Sequence, residues 1–252
     1  MSVIYEPRGQ AREYAPLACN IYTGCDHGCT YCYAPSATYK SREQFACPKT
    51  RAGDFLKALK REAEKMAGCK DRVLLCFTCD PYQSLDVQAG LTRQTIRILH
   101  DNNIAVQVLT KGGRRALRDI HLFTDKDAFA TTMTQITDEA SAEWEPGAAS
   151  PSDRIYTLKM FHAAGIPTWV SLEPVLNPEA ALEIIRRTHA FVDLYKVGKL
   201  NYHPLAQQID WHKFAQEAVT LLDSLGKRYY IKDSLLPYLP GFKKQNPDDL
   251  QT

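Results

Sequence analysis

Long apolar runs are missing from this sequence of 252 residues. The first ten residues contain no apolar stretch of signal-peptide length, and no later segment approaches the length that a bilayer-spanning helix needs. We therefore expect no membrane segment. We also expect a cytoplasmic location, where thiols stay reduced.

A strong excess of one charge is missing as well. The chain has 31 lysines and arginines against 29 aspartates and glutamates, a formal net charge of +2. Proteins that bind nucleic acid mainly by neutralising phosphates usually carry a clearer basic excess. With 44% hydrophobic and 24% charged residues, the composition is that of a globular protein. We predict a single domain over residues 1–252, with an N-terminal arm (1–16), a core (17–232) and a C-terminal tail (233–252).

Cysteine is absent after position 79, and three of the eight cysteines fall within eight residues. They are Cys25, Cys29 and Cys32, in the spacing C-x3-C-x2-C. Three thiolates this close can converge on one metal centre. A cubane [4Fe-4S] cluster held by only three of them keeps one iron open for a substrate or cofactor.

Other uses of these cysteines stay open. His27 could join the three thiols as the fourth ligand of a structural zinc ion, although zinc ligands usually come as two separated pairs. A disulfide framework is disfavoured, because a chain of this length can build a core without cross-links. The other cysteines are scattered singly, and we expect Cys47 and Cys69 to be inert.

Short β-branched or aromatic runs alternate with helical patterns, which is the order of parallel β/α units. No glycine-rich dinucleotide turn follows the first strand, which favours a partial (β/α) barrel over a doubly wound sheet. We expect an α/β fold with about six to seven parallel strands. The predicted strands are Leu17–Tyr22, Val73–Thr78, Ala105–Thr110, Ala128–Thr132, Thr168–Leu172, Phe191–Val197 and Arg228–Ile231.

Capping residues and apolar periodicity predict the helices. One runs from Asp54 to Met66 with its apolar residues on one face. Another covers Ser152–Ala164 and stops at Gly165, and the next has Asn177 as its N-cap before Pro178. A later helix spans Asp210–Leu225.

The residues that follow each strand are the candidate site, because chemistry in such barrels sits at the carboxyl ends of the strands. One of these segments holds a basic cluster. A solvated helix face explains this cluster most simply, but cations in a first helical turn would also suit a nearby anion. The basic cluster consists of Lys111, Arg114, Arg115 and Arg118.

The cysteine spacing, with Tyr31 just before the third cysteine, resembles the signature of the radical S-adenosylmethionine (radical SAM) superfamily. Further phrases resemble its spore photoproduct lyase-like branch, often called DNA repair photolyase-like. They are Tyr5-Glu-Pro-Arg-Gly, Arg12-Glu-Tyr, Asp80-Pro-Tyr-Gln, Thr110-Lys-Gly-Gly, Trp144-Glu-Pro-Gly-Ala-Ala-Ser-Pro and Ser171-Leu-Glu-Pro. The resemblance implies a [4Fe-4S] cluster, bound SAM and a 5′-deoxyadenosyl radical that abstracts hydrogen from a substrate.

The resemblance also implies residue roles at the cofactors. Cys25, Cys29 and Cys32 would ligate the cluster, and Tyr31 would lie beside the adenine of SAM. Asp80 would bind the SAM amino group and Lys111 its carboxylate. The remaining candidates for the SAM site are Thr132 or Thr134 at a strand end, and Glu173, which could bind ribose hydroxyls or pair with Lys196 or Lys199.

Hydrogen return to the product radical involves a tyrosine and a cysteine in spore photoproduct lyases. Tyr33 matches the tyrosine. The donor position falls on Phe77, which Cys76 and Cys79 flank, so these two cysteines are the candidates for the donor.

We therefore predict a lyase-like radical SAM enzyme that acts on a nucleic-acid or nucleotide substrate, as in DNA repair. An electron donor such as flavodoxin or ferredoxin is the expected partner. Two alternatives stay open: a radical SAM enzyme that modifies a peptide or small metabolite, and a non-catalytic metal-binding regulatory protein. The sequence does not determine the oligomeric state.

Overall fold

The structure is a computed structural model that describes residues 2–51 and 54–250. This part of the chain contains ten strands. They are β1 (Ile4–Tyr5), β2 (Leu17–Cys19), β3 (Tyr22–Thr23), β4 (Lys49–Thr50), β5 (Val73–Leu75), β6 (Val106–Thr110), β7 (Ala128–Thr132), β8 (Thr168–Val175), β9 (Leu194–Lys199) and β10 (Arg228–Ile231).

Nine α-helices lie in the same described ranges. They are α1 (Ala34–Ala37), α2 (Arg42–Phe45), α3 (Phe55–Lys65), α4 (Ser84–Ala89), α5 (Leu91–His100), α6 (Asp138–Trp144), α7 (Pro151–Ala163), α8 (Pro178–Thr188) and α9 (Trp211–Ser224). Five 3-10 helices cover Gly9–Glu13, Gly113–Leu122, Pro204–Gln207, Leu236–Tyr238 and Pro247–Leu250. Over these residues, every helix is too short or too polar to traverse a bilayer.

Eight strands form one sheet in the order β1-β2-β5-β6-β7-β8-β9-β10. Only the β1–β2 pair is antiparallel, and the other neighbours are parallel. β3 and β4 form a separate antiparallel pair beside the cysteine segment. Because β1 and β10 stand at opposite ends of this order, the mostly parallel sheet is an open, partial (β/α) barrel, as predicted.

The two faces of the sheet bury different residues. Large aliphatic and aromatic side chains on one face form the main core together with the helices. Small residues such as Ala18, Ala128 and Ala130 lie on the other face, beside Trp169. Since side chains alternate across a strand, the small residues give the concave side room for further groups.

The N-terminal segment fills part of that room. Tyr14 and Ala15, just after the 3-10 helix Gly9–Glu13, are buried against the alanine-lined face. The backbone carbonyl of Tyr14 accepts hydrogen bonds from Gln107 Nε2 at 2.8 Å and Lys196 Nζ at 2.9 Å. This part of the predicted arm is therefore an internal plug, which we define as residues 9–15.

Helix ends agree closely with the capping residues. Asn177 accepts a hydrogen bond from the backbone N–H of Ala180 and is followed by Pro178, as predicted. α7 begins one residue earlier than predicted, because the side chain of Ser150 caps it by accepting from Asp153 N–H. α9 lies between its N-cap Asp210 and Leu225, within the predicted range.

Strand boundaries depart from the prediction where the chain leaves the sheet. The predicted strand Leu17–Tyr22 is divided between β2 and β3, which belong to different sheets. β5 ends at Leu75, three residues before the predicted end at Thr78. Hydrogen bonds from Phe77 and Thr78 N–H to the Asn20 side chain, at 2.8 and 2.9 Å, hold that segment instead of sheet pairing.

Candidate functional site

A cavity of about 470 Å³ opens where the parallel strands end. It joins the cysteine segment to residues that follow several strands of the sheet. Of the predicted site residues, its walls include Cys25, Cys29, Tyr31, Cys32, Tyr33, Cys76, Cys79, Asp80, Lys111, Thr132 and Glu173. Thr134 is buried and does not line the cavity.

The cysteine segment has a fixed backbone. Cys25 N–H donates to the carbonyl of Phe45 at 2.9 Å, and Cys32 N–H donates to the carbonyl of Cys29 at 3.1 Å. Gly24 has a φ of 87°, and a Cβ there would lie 2.5 Å from the Phe45 oxygen, so only glycine fits. From α2, Arg42 donates to the carbonyl of Cys29 at 3.2 Å.

The three thiols stand between two cavities. A second cavity of about 290 Å³ is also lined by Cys25, Cys29 and Cys32. In the described ranges, no group of three or more histidine, cysteine or carboxylate side chains is arranged to hold a metal ion. A [4Fe-4S] cubane needs its thiolates farther apart than a single metal ion does, because each thiolate binds a different iron. The space that the three thiols share fits such a cluster.

The electrostatic environment of the thiols also favours a bound, positively charged metal centre. Burial raises the pKa of Cys29 to about 11 and that of Cys25 well above its usual range. The thiolate forms are therefore unfavourable without a nearby positive charge, which iron would supply. His27 points its Nδ1 toward Asp80 Oδ2, at 3.6 Å, while its buried Nε2 has no hydrogen-bond partner.

Asp80 fastens the ends of two strands. Its Oδ1 accepts from Tyr82 N–H at 2.8 Å and from the Thr110 hydroxyl at 2.6 Å, and its Oδ2 accepts from Lys111 N–H at 2.7 Å. A carboxylate offers about four lone-pair sites. Asp80 is therefore mainly engaged in holding the site together, and its Oδ2 keeps one acceptor position.

The ammonium group of Lys111 lies 5.7 Å from the centroid of the Tyr31 ring. Burial opposes the charge of Lys111, but Cys29 and Glu145 outweigh it and raise the pKa of the ammonium. In residues 2–51 and 54–250 no carboxylate lies within ion-pair distance of it. Lys111 is thus a cation in the cavity with room for an anionic ligand.

Tyr31 is oriented by a buried ion pair that the sequence did not reveal. Its hydroxyl donates to Glu145, which follows α6. Arg154 of α7 pairs with Glu145 at 2.6 Å, and the side chains of both are at most 1% exposed. The phrase Trp144-Glu-Pro-Gly-Ala-Ala-Ser-Pro contained the signal for Glu145, but nothing in the sequence pointed to Arg154.

Glu173 also lines the cavity and pairs with a residue that the sequence analysis did not name. Its Oε2 accepts from the Tyr14 hydroxyl at 2.6 Å and from Lys232, which is itself buried. The predicted partners are engaged elsewhere, since Lys196 donates to backbone carbonyls and Lys199 donates to the Tyr238 hydroxyl. Of the two roles predicted for Glu173, pairing with a cation is therefore found, but the cation is Lys232 and not Lys196 or Lys199.

The rest of the basic cluster is held by protein acceptors. Arg114 pairs with Asp153 at 2.6 Å, Arg118 pairs with Asp86, and Arg115 donates to the carbonyl of Tyr82 at 3.1 Å. Beyond Lys111, the cluster therefore serves to attach the 3-10 helix Gly113–Leu122 to its neighbours.

The family model of the radical SAM superfamily matches residues 19–192, which include the three cysteines and most strand ends of the cavity. The chain belongs to the radical SAM superfamily. It is therefore an enzyme whose cofactors are a [4Fe-4S] cluster and SAM.

Solved radical SAM enzymes share the fold at low sequence identity. A spore photoproduct lyase variant with bound SAM and dinucleoside spore photoproduct matches with a TM-score of 0.67 and 12% identity, covering 86% of this chain and 76% of that one. Streptococcus suis SuiB bound to SAM matches with a TM-score of 0.66 and 12% identity, covering 92% of this chain and 53% of SuiB.

Relatives by sequence are uncharacterized proteins. One from Methanocaldococcus jannaschii is 25% identical over 195 residues, which cover 74% of this chain and 71% of the relative. One from Mycobacterium tuberculosis is 26% identical over 166 residues, covering 62% of this chain. The radical SAM chain spans about half the length of that mycobacterial relative, 48%.

Proposed function

We propose that this radical SAM enzyme acts on a nucleic-acid or nucleotide substrate, in a lyase-like reaction of the DNA-repair type. The observation that supports this proposal is that one cavity runs from the three cysteines to a mouth of cationic and aromatic side chains. At the mouth lie Arg8, Lys199, Tyr33 and Tyr202. Proteins that bind single-stranded nucleic acid pair such cations with phosphates and stack bases on such rings.

At the inner end, Cys25, Cys29 and Cys32 hold the cluster. When bound, the cluster and SAM supply a 5′-deoxyadenosyl radical that abstracts hydrogen. An external electron donor of the flavodoxin or ferredoxin kind provides the electron, and the cytoplasm is the proposed compartment.

SAM is held by residues at the carboxyl ends of β5, β6, β7 and β8, together with Tyr31. Lys111 pairs with its carboxylate, and the remaining acceptor position of Asp80 takes its amino group. Tyr31 lies against the adenine, fixed in place by Glu145. Thr132 lines the same wall, and Glu173 has its Oε1 available for hydroxyl groups while Tyr14 and Lys232 hold its Oε2.

The mouth recognises the substrate. Neither Arg8 nor Lys199 has a carboxylate partner among the described residues. Tyr33 is 53% exposed and Tyr202 is 97% exposed, so both rings present faces to a ligand. Arg8 and Lys199 thus keep their positive charges unneutralised, although the Lys199 ammonium donates to the Tyr238 hydroxyl. Two such cations and two exposed rings suit phosphates and bases better than they suit an uncharged metabolite.

The radical activity is tested with the cysteines. Alanine at any one of Cys25, Cys29 or Cys32 should abolish the iron–sulfur absorption or the formation of 5′-deoxyadenosine from SAM under anaerobic, reducing conditions. Cys47→Ala and Cys69→Ala are matched controls outside the cavity and should retain both. Full SAM cleavage in the trio variants would overturn the assignment.

The substrate class is tested by binding. Single-stranded DNA should be retained with an affinity that falls as salt rises, and Arg8→Gln and Lys199→Gln should each reduce the salt slope by about 0.7. Lys57→Gln on the exposed side of α3 is the matched control. Streptococcus suis SuiB has been solved with a precursor peptide. Retention of peptides but not DNA would therefore replace the proposal with peptide modification.

A further inference from the structure

Two cysteines outside the cluster segment lie on the same cavity wall. Cys76 and Cys79 occur in the C-x-x-C sequence Cys76-Phe-Thr-Cys79, directly after β5. Cys76 is 4% exposed, whereas Cys79 is partly exposed toward the cavity. The pair thus consists of one accessible thiol and one protected thiol.

The backbone around this pair is fixed by neighbouring segments. Cys76 Sγ accepts a hydrogen bond from Ile21 N–H at 3.4 Å. The Asn20 side chain accepts from the N–H groups of the two intervening residues, Phe77 and Thr78. These contacts hold Cys76, Phe77 and Thr78 in place directly before Cys79.

The two thiols interact with each other. Burial, followed by the interaction with the Cys79 thiol, raises the pKa of Cys76 well above its usual range. Cys19, which is fully buried on the neighbouring strand β2, also lies close enough to act on Cys76. Cys19 is therefore the natural competitor for any bond formed by this pair.

We propose that Cys76 and Cys79 form a reversible disulfide, a second redox centre on the wall of the cavity. Cys79 attacks a disulfide such as oxidised glutathione as a thiolate, giving a mixed disulfide and one glutathione thiolate. Cys76 then loses its proton, attacks the Cys79 sulfur and releases the second glutathione. In total, two thiols lose two electrons and two protons, and one glutathione disulfide becomes two thiols.

The disulfide would remove both S–H hydrogens from this wall. Hydrogen return from Cys79 to a product radical then requires prior reduction by a dithiol. Formation of the bond needs the two thiols and a disulfide oxidant but no substrate, so it can be tested without knowing the substrate.

The experiment uses the reconstituted holoenzyme under anaerobic conditions with oxidised glutathione. Free thiols are alkylated, the protein is digested with trypsin, and the products are identified by mass spectrometry. Both cysteines fall on one tryptic peptide, Val73–Arg93, whereas Cys19 lies with the cluster cysteines on Glu13–Lys40. Without oxidised glutathione, we expect the peptide Val73–Arg93 to carry two alkyl groups. After oxidation it should carry none and have a mass two hydrogens below that of the unalkylated dithiol peptide. Dithiothreitol should restore the doubly alkylated form.

Variants separate the pair from its neighbours. Cys79→Ser should abolish the lighter peptide, and Cys19→Ser should leave it unchanged. Iron–sulfur absorption and 5′-deoxyadenosine formation are followed in parallel, so loss of the radical activity is distinguished from loss of the disulfide. Three outcomes would overturn the proposal. Both thiols could stay alkylated at every ratio of oxidised to reduced glutathione, a glutathione adduct could persist on Cys79, or the peptide could be cross-linked to Glu13–Lys40.

Discussion

Lys111 and Asp80 carry opposite charges on one cavity wall, and they differ in how many contacts each makes with the rest of the protein. The carboxylate of Asp80 already accepts three hydrogen bonds, whereas the ammonium of Lys111 has no carboxylate partner among the described residues. We therefore expect removal of Lys111 to change ligand binding with little effect on the protein around it. Removal of Asp80 should disturb both.

Lys111→Met should weaken SAM binding by about 1.5–3 kcal/mol, roughly ten- to a hundredfold in affinity, because one charge-assisted contact is lost. Asp80→Asn, which keeps the shape but not the charge, should weaken it by a similar factor. Both should retain the iron–sulfur spectrum. The measurement is a SAM titration with Lys57→Met as the control, and unchanged titrations in both variants would remove these residues from the SAM site.

Tyr33 presents its side chain to the cavity directly after a cluster cysteine. If its phenol relays hydrogen, Tyr33→Phe should leave SAM cleavage intact and sharply lower the product formed per 5′-deoxyadenosine. The ratio of the two, measured with a DNA substrate, checks this, with Tyr39→Phe as a control because Tyr39 is exposed and does not line the cavity. Equal ratios would leave Tyr33 as a wall residue only.

Local patterns found the residues whose role depends on near neighbours. The cysteine spacing and the residues just after strands led to most of the cavity wall, because the carboxyl ends of parallel strands meet at one edge. Lys232 and Tyr14 were not found, since their partner Glu173 lies 59 and 159 positions away along the chain. Arg154 was not found either, although Glu145 is near in sequence, because no local pattern shows that the two side chains are buried together. A buried arginine and a buried lysine look like surface residues until the fold brings their carboxylates to them.

At the scale of elements, Glu145 and Arg154 connect α6, α7 and the cysteine segment. Burial opposes the charge of Glu145, but Arg154 and Lys111 outweigh it and lower the pKa of the carboxyl. Each ion is well compensated only while the other is present.

Glu145→Ala and Arg154→Ala should each lower the free energy of unfolding by about 3–5 kcal/mol, because each leaves an uncompensated buried charge. The double variant should cost less than the sum of the two. Chemical denaturation checks this. Glu183→Ala, which removes an exposed ion pair on α8, is the control and should lower the free energy of unfolding far less. Strict additivity would contradict the coupling.

Helices were easier to predict than strands. Asn177 with Pro178, and Gly165 after α7, mark helix ends through local chemistry. β5 and β9 were misplaced at their ends, because pairing with a neighbour decides where a strand stops. The hydrophobic run beyond Leu75 continues through a segment that the Asn20 side chain holds.

At the scale of the whole molecule, the concave side of the open barrel contains an unusual cation. Lys196 is buried there and donates to the carbonyls of Glu13 and Tyr14. Burial, and then the nearby charge of Lys232, lowers the pKa of Lys196 to about 7. The unfolded chain would hold that proton up to a pH of about 10.4.

The stability of the protein should therefore rise with pH through the contribution of Lys196. Between pH 7 and about 10, the unfolded chain binds a proton at Lys196 that the folded chain has lost, so rising pH favours folding by up to about 1.4 kcal/mol per pH unit. The other titrating groups are common to wild type and Lys196→Met. The wild type should gain stability relative to that variant across this range, and a constant difference would contradict the shifted pKa.

The class of the fold could be predicted from the alternation of strands and helices. The placement of β1 and of the plug could not. β1 is only two residues long and antiparallel, and the plug has no repeating pattern. Their positions depend on the alanine-lined face, which exists only after β2, β5, β7, β8 and β9 have assembled.

The plug also imposes an order on biosynthesis. Tyr14 leaves the ribosome well before its partners, because Glu173 follows it by 159 positions. Lys232, whose ammonium lies 3.8 Å from the centroid of the Tyr14 ring, follows it by 218. Contacts of such long sequence separation form slowly and late. The segment must therefore remain unplaced while the strands emerge, and the final wall of the cavity closes only when the last strand, β10, has been synthesised.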